Sequence, residues 1–209
     1  MDLQIWLAFV AASLALLLIP GPTVLLVLSY ALSQGKRVAL ATVAGVALGD
    51  LIAMTASLAG LGALVLTSAT LFTALKWVGA VYLVYLGVKL FRSASTAKLG
   101  DVEDVAHTSA ASVFGHATAV TALNPKSIVF FIAFVPQFIV VDSPLIPQFS
   151  ILIATFVGLA AINTLVYALL ADKMRTKIAR PSVLAWFSRF GGGALIAMGV
   201  ATATFKRAQ

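Results

Sequence analysis

The sequence has no cysteine and only two histidines among its 209 residues. Without cysteine, the chain has no disulfide and no thiolate ligand for a metal. Neither histidine stands with acidic residues in a metal-ligand spacing, and no nucleotide-binding loop or Ser/His/Asp arrangement occurs. The sequence therefore predicts no metal site, no cofactor and no catalytic residue.

Charged residues are also scarce, at 10% of the chain, whereas 61% of the residues are hydrophobic and the mean hydropathy is +1.06. These values exclude an ordinary soluble domain and indicate an integral membrane protein that is solvated by a lipid bilayer. The net charge of +7 does not indicate a nucleic-acid partner, because the basic residues stand singly or in pairs at the ends of apolar runs.

The first apolar run, 3–32, has no charged side chain and is interrupted by Pro20-Gly21-Pro22-Thr23. As one helix it would be about 45 Å long, whereas the hydrocarbon core is about 30 Å thick. The two prolines remove amide donors, which frees the carbonyls of Leu16 and Leu18 and breaks the helix there. Broken backbone at membrane depth must be satisfied by protein or water, so we expect this segment to line a polar cavity.

Six apolar runs predict six transmembrane helices near 3–32, 38–66, 71–91, 113–141, 149–171 and 190–205. Ten of the fourteen Lys and Arg residues fall in the connections that follow the first, third and fifth runs. By the positive-inside rule these connections are cytoplasmic, and both termini are outside, in the periplasm.

The connection 92–112, predicted to be a cytoplasmic linker, divides the chain into a first three-helix repeat, 1–91, and a second, 113–209. Because each repeat has an odd number of spans, homologous repeats would have opposite orientations in the membrane. Two correspondences support this arrangement: Pro20-Gly21-Pro22 with Asn124-Pro125-Lys126, and Gly79, Leu83, Gly87 and Val88 with Gly191, Leu195, Gly199 and Val200. The predicted fold class is all-α integral membrane, with six transmembrane helices as two inverted three-helix repeats and proline-broken first helices. Two functionally idle proline kinks are the alternative.

Asp50 is predicted to lie near mid-membrane in the second span, where an ionised carboxylate costs ~2.5–3.5 kcal/mol. It flanks a ridge of small residues at four-residue spacing, which lets another helix approach closely: Ala41, Gly45, Gly49, Ala53 and Ser57. We therefore expect Asp50 to face the helix bundle. It is interpreted as a proton carrier or an anchor for a substrate ammonium, and alternatively as a carboxylate that only holds helices together.

Asn124-Pro125-Lys126 predicts the start of a new helix, because asparagine is a favoured cap and proline suits the first helical position. Lys126 has three interpretations: it binds a substrate carboxylate, pairs with Asp50 when the site is empty, or extends to the cytoplasmic interface. Asn163 and Tyr167, one turn apart in the fifth span, are candidates for the same cavity. Interhelical hydrogen bonding without a function explains them equally well.

These motifs resemble those of the LysE superfamily of small membrane exporters, in particular the RhtB branch of homoserine, threonine and leucine efflux proteins. The features that carry the resemblance are Pro20-Gly21-Pro22, Gly35-Lys36-Arg37 followed by Gly45 and Gly49-Asp50, the run from Gly79 to Gly87, Asn124-Pro125-Lys126 and Pro136-Gln137-Phe138. They occur in family order over nearly the whole chain, and Thr23 departs from the family, which often has Asn or Asp there. The resemblance implies a six-helix inner-membrane protein that exports amino acids or close derivatives in exchange for protons.

The sequence thus predicts a secondary exporter of a small zwitterionic amino acid, in which Asp50 exchanges a proton for the substrate ammonium and Asn124 and Lys126 accept the carboxylate. The other predicted site residues are Pro20, Gly21, Pro22, Thr23, Gly49, Pro125, Asn163 and Tyr167. An intramembrane enzyme, and a channel or scaffold without transport coupling, are the alternatives. Whether the chain forms a homo-oligomer is left open.

Overall fold

The computed structural model describes residues 1–18, 21–34, 36–67, 69–92, 108–140, 143–171 and 181–204. Within these ranges the regular structure is entirely helical. The helices are α1 (Leu3–Leu18), α2 (Pro22–Gln34), α3 (Lys36–Thr67), α4 (Ala69–Arg92), α5 (Ala110–Ala122), α6 (Pro125–Val129), α7 (Leu145–Leu169) and α8 (Pro181–Thr204). Most of the predicted linker, 93–107, lies outside the described residues.

The first apolar run is broken where the sequence predicts. α1 ends at Leu18, α2 begins at Pro22, and the chain bends by 59° between them. Pro22 takes the first helical position, where an amide N–H has no intrahelical partner to lose. The carbonyl of Gly21 accepts the first hydrogen bond of α2 from the Leu25 amide, at 3.1 Å. Pro20 lies outside the described residues.

A second break separates α5 from α6, with a bend of 41°. The side-chain oxygen of Asn124 accepts a hydrogen bond from the Lys126 amide at 3.1 Å, and Pro125 is the first residue of α6. The predicted asparagine cap is therefore present. α6 continues as a π-helical turn, Phe130–Phe134, and then a 3-10 turn, Val135–Phe138.

The described residues contain two uninterrupted helices that are long and apolar enough to cross a membrane, Val38–Ala63 and Leu145–Leu169. If each bent pair counts as one span, the number rises to four. α4 and α8, with 24 residues each, overlap the third and sixth predicted spans, but within the described residues they are not among the helices that are long and apolar enough to count as membrane spans. α8 begins at Pro181 rather than near 190. The predicted span begins after Arg189 because a charged residue ends the apolar run, whereas the helix itself continues through Arg189.

α4 and α8 pack against each other through glycines. Gly87 of α4 lies against Gly192 of α8, and Gly199 of α8 lies against Ala80 of α4. Residue numbers rise along one helix as they fall along the other, so the two helices are antiparallel. Position 199 lies 112 residues after position 87, and position 192 lies 112 residues after position 80. The contact of Gly87 with Gly192 is therefore equivalent to the contact of Gly199 with Ala80 when the two helices are exchanged. The same shift of 112 residues relates the glycine rows in the sequence.

α3 runs close along α5 because two glycines of the small-residue ridge face it. A methyl group at Gly45 would lie 2.5 Å from the carbonyl oxygen of Phe114, and one at Gly49 would lie 2.7 Å from that of Thr118. No side chain fits at either position without moving backbone, so the ridge brings two helices together as the sequence predicts. The contact fixes the rotation of α3 just before Asp50.

An aromatic cluster holds α6 and its continuation in the interior. The cluster contains Phe9, Phe130, Phe131, Phe134, Phe138 and Phe156, all of them buried. The rings of Phe131 and Phe156 meet edge to face with their centroids 4.8 Å apart, which is a favourable aromatic geometry. These contacts join the helix that carries Lys126 to α7.

Candidate functional site

A small cavity lies between the two breaks. Its walls come from α1, α2, α3, α6 and α7, and its polar lining consists of Thr23, Asp50, Asn124, Lys126, Ser127, Asn163, Thr164 and Tyr167. Leu16, Leu17, Val24, Val27, Val46 and Ala160 form the apolar lining. The cavity has a volume of about 30 Å³, which is room for about two water molecules.

Asp50 lies on α3 and projects into this cavity with only 3% of its surface exposed. Among the described residues, none donates a hydrogen bond to its carboxylate, although the charge of Lys126 is near enough to interact with it. A buried carboxylate without donors is unfavourable unless a cation or proton neutralises it. The environment of Asp50 therefore favours neutralisation of its carboxylate by a cation or a proton.

Lys126 lies in the first turn of α6 and reaches across the cavity to α1. Its Nζ donates a hydrogen bond to the carbonyl oxygen of Leu16 at 3.1 Å. That oxygen is one of the two carbonyls that the prolines are predicted to free, and a cation at a helix C-terminus is favourable. The side chain thus points into the bundle and not toward the cytoplasmic interface.

The carbonyl of Leu17, the next residue of α1, also accepts a hydrogen bond from another helix. Asn163 of α7 donates from Nδ2 to the carbonyl oxygen of Leu17 at 3.3 Å. Thr164 and Tyr167 follow on the same helix, are 5% and 4% exposed, and line the same cavity. α7 therefore supplies both a cap for α1 and hydroxyl groups to the cavity.

A side-chain hydrogen bond joins the two breaks. Asn124 donates from Nδ2 to Oγ1 of Thr23 at 3.3 Å, while its own Oδ1 caps α6. Asn124 is thus used as both a donor and an acceptor. Position 23 has a polar role here although it is threonine.

The cavity does not include every residue that the sequence singles out. Gly49 packs against α5 instead, Pro125 is exposed at the start of α6, and Gly21 forms the turn before α2. The side chain of Pro22 and all of Pro20 lie outside the described residues. Gly49, Pro125 and Gly21 therefore shape the backbone around the cavity rather than line it.

Two polar lining residues, Ser127 and Thr164, are not among the predicted site residues, and neither are the six apolar ones. Ser127 and Thr164 each directly follow a predicted site residue in the sequence. Thr164 is also one helical turn before Tyr167, so the helical spacing from Tyr167 is a signal that points to Thr164. His116 does not line the cavity. Its Nδ1 is 2.9 Å from the hydroxyl of Tyr30, and this contact joins α5 to α2.

Comparison with known proteins gives a family match over most of the chain. The model of the family described as LysE type translocator matches residues 14–205. No solved structure matches the chain significantly.

Several curated relatives align with the chain, and two of the three named here do so over nearly the full length. The chain is 34% identical over 206 residues to an uncharacterized membrane protein of Vibrio cholerae serotype O1, covering 99% of this chain and 100% of the relative. It is 32% identical over 209 residues to the homoserine/homoserine lactone efflux protein of Salmonella typhimurium, covering 100% of both. It is 30% identical over 138 residues to the leucine efflux protein of Klebsiella pneumoniae, covering 66% of this chain and 65% of the relative.

Proposed function

The chain belongs to the LysE family of membrane translocators, and from this premise we propose that it exports an amino acid or close derivative in exchange for protons. Members of this family are transporters and not enzymes. The observation that carries the proposal is the position of Asp50 and Lys126 in one cavity between two broken helices.

The lining of the cavity matches the chemistry of a zwitterion. Asp50 supplies a negative group for a substrate ammonium, and Lys126 supplies a positive group for the carboxylate, with the Asn124 amide beside it. Charge-assisted hydrogen bonds of this kind are the strong ones in a low-dielectric site. Thr164 and Tyr167 then contribute hydroxyl groups near the substrate side chain.

Proton coupling follows from competition at Asp50. The carboxylate binds either a proton or the substrate ammonium, but not both at once. A ligand shifts the equilibrium between the inward-open and outward-open conformations only if it binds the two with different affinity. Protonation outside then releases the substrate, and deprotonation inside frees Asp50 for the next one. In this scheme the inward proton gradient drives export.

The cavity suits a carrier better than a channel. It is small, and it is surrounded by α1, α2, α3, α6 and α7 rather than by a ring of like groups along a pore. An amino acid does not fit into a volume of about 30 Å³, so loading requires the helices to move apart. Opening alternately to either side is the mode of transporters built on broken helices.

We propose that this motion relates two inverted three-helix repeats, 1–91 and 113–209, on either side of a cytoplasmic linker, 92–112. The equivalent contacts of Gly87 with Gly192 and of Ala80 with Gly199 support this arrangement. The break before the second helical segment of each half supports it as well. Six spans with both termini in the periplasm then follow from the positive-inside rule, in the inner membrane.

The substrate is proposed to be a small neutral amino acid or its close derivative. Full-length relatives are named for efflux of homoserine and homoserine lactone, and others are named for efflux of leucine. The cavity lining combines the aliphatic side chains of Val24, Val27 and Val46 with hydroxyl groups from α7, which is compatible with a short side chain of either kind.

Transport into and out of liposomes tests the proposal. Purified protein is placed in vesicles, which are loaded with one labelled amino acid at a time. At least one amino acid is expected to leave the vesicles faster when the outside is made more acidic than the inside, because protons then enter in exchange for it. Vesicles without protein are the control. Release of none of the amino acids by correctly folded protein would contradict the proposed function.

A further inference from the structure

α1 ends at the cavity with a carbonyl that its own helix cannot satisfy. The carbonyl oxygen of Leu16 would normally accept from the amide four residues later, but that residue is Pro20 and has no N–H. The oxygen therefore needs a donor from outside α1. The C-terminal end of a helix also favours a positive charge, so an ammonium ion is the donor that suits it best.

Lys126 supplies this donor from the other half of the chain. Its Nζ lies 3.1 Å from the Leu16 oxygen, and Asp50 lines the same cavity. A lysine side chain ends in the same chemical group as the amino end of a free amino acid, an alkylammonium with three N–H donors. The structure thus holds an ammonium group at the end of α1, in a cavity that a carboxylate also lines, which is the environment that the substrate ammonium requires.

We infer that Lys126 is a tethered stand-in for the substrate ammonium: it occupies the Leu16 carbonyl in the unloaded carrier, and the substrate displaces it on binding. This inference rests on the proposed export function and adds a step to it. The incoming ammonium takes the Leu16 oxygen and Asp50. The displaced Lys126 ammonium is then free to meet the substrate carboxylate.

The charges balance in both states. Unloaded, the cavity holds the negative charge of Asp50 and the positive charge of Lys126. A zwitterion adds one charge of each sign, so the loaded cavity gains no net charge. During the return step, when Asp50 carries a proton, Lys126 still has the Leu16 carbonyl as its acceptor. Without Lys126, the unloaded carrier would have to reorient with an unsatisfied carbonyl in the membrane interior, which is costly.

Two transport modes separate this role from a purely structural one. Net efflux requires the unloaded carrier to reorient, whereas exchange of labelled for unlabelled substrate cycles only the loaded carrier. Lys126→Met leaves no ammonium at Leu16 and also removes the contact with the substrate carboxylate, so both modes are compared at saturating substrate. We expect net efflux to fall about tenfold or more relative to exchange. Lys126→Arg, which keeps the cation and its donors, is expected to retain both modes.

The matched control is Lys89→Met, which removes an exposed lysine of α4 and is expected to leave both modes unchanged. Equal loss of both modes in folded Lys126→Met protein, or full retention of net efflux, would overturn the inference. An experimental structure of the wild-type protein with a bound amino acid is a second test, which does not depend on the variant. The Lys126 Nζ should then have left the Leu16 oxygen, and a retained bond would overturn the inference. If the proposed function itself is wrong, the wild-type protein will show neither net efflux nor exchange.

Discussion

Asn124 donates a hydrogen bond to Thr23 at 3.3 Å, although the two residues are 101 positions apart in the chain. Each stands at the beginning of a helix that follows a break, since Thr23 is the second residue of α2 and Asn124 caps α6. The bond therefore ties the two interrupted helices to each other at the wall of the cavity.

Thr23→Val is expected to weaken this tie. Valine has nearly the shape of threonine but no acceptor, so the buried amide of Asn124 loses its partner at a cost of ~1–3 kcal/mol. Thr23→Ser keeps an acceptor and is the matched control. Thermal unfolding in detergent and efflux from liposomes should both be impaired in the valine variant alone. Equal behaviour of the two variants would argue against the tie.

Lys126→Gln tests the proposed carboxylate contact. A hydrogen bond to a charged group contributes ~1.5–3 kcal/mol, so the apparent KM for the transported amino acid should rise about tenfold or more. The KM for the methyl ester of the same amino acid should change little, because the ester has no carboxylate to bind. The two KM values are measured by exchange in liposomes. A parallel rise for both compounds would assign the effect to something other than the carboxylate.

Gly49→Ala is expected to destabilise the protein through the contact of α3 with α5. The added methyl would lie 2.7 Å from the Thr118 carbonyl oxygen, and overpacking of this kind costs ~1–3 kcal/mol. Gly60→Ala, on the same helix, meets no atom within 4 Å and is the control. Thermal unfolding in detergent should distinguish the two variants. Similar unfolding temperatures of the two variants would contradict this prediction, because α3 and α5 would then accommodate the added methyl group without loss of stability.

The orientation in the membrane is tested with single cysteines, which is straightforward because the chain has none. A cysteine at Ser95 is expected to be labelled only from the cytoplasmic side, and one at Gln209 only from the periplasmic side. A membrane-impermeant thiol reagent on intact and opened cells provides the measurement. Labelling of both positions from the same side would require an even number of spans between them, and would contradict the three that are predicted.

The positions of the breaks could be predicted from the sequence, because proline has a local effect that does not depend on the rest of the fold. Pro22 and Pro125 begin helices in the structure as the sequence predicts. The inward direction of Asp50 could also be predicted, because the small-residue ridge beside it identifies the face that packs against another helix.

The partners across the cavity could not be predicted, because they depend on how distant helices pack. The sequence predicts a free carbonyl at Leu16 but not that Lys126 fills it, since nothing local sets the distance between α1 and α6. The same holds for Asn163 and the carbonyl of Leu17. The π-helical turn at Phe130–Phe134 also has no local signal, because it depends on how the phenylalanines pack against α7.

The most direct measurement of the central claim is proton-driven efflux by Asp50→Asn in liposomes, with Asp2→Asn at the exposed N-terminus as the control. Asparagine keeps the shape of the side chain but binds neither a proton nor an ammonium ion as a carboxylate does. The account predicts that efflux no longer responds to the proton gradient, while the variant remains folded in the membrane and the control is unaffected. Efflux by Asp50→Asn with the full response to the gradient would contradict it.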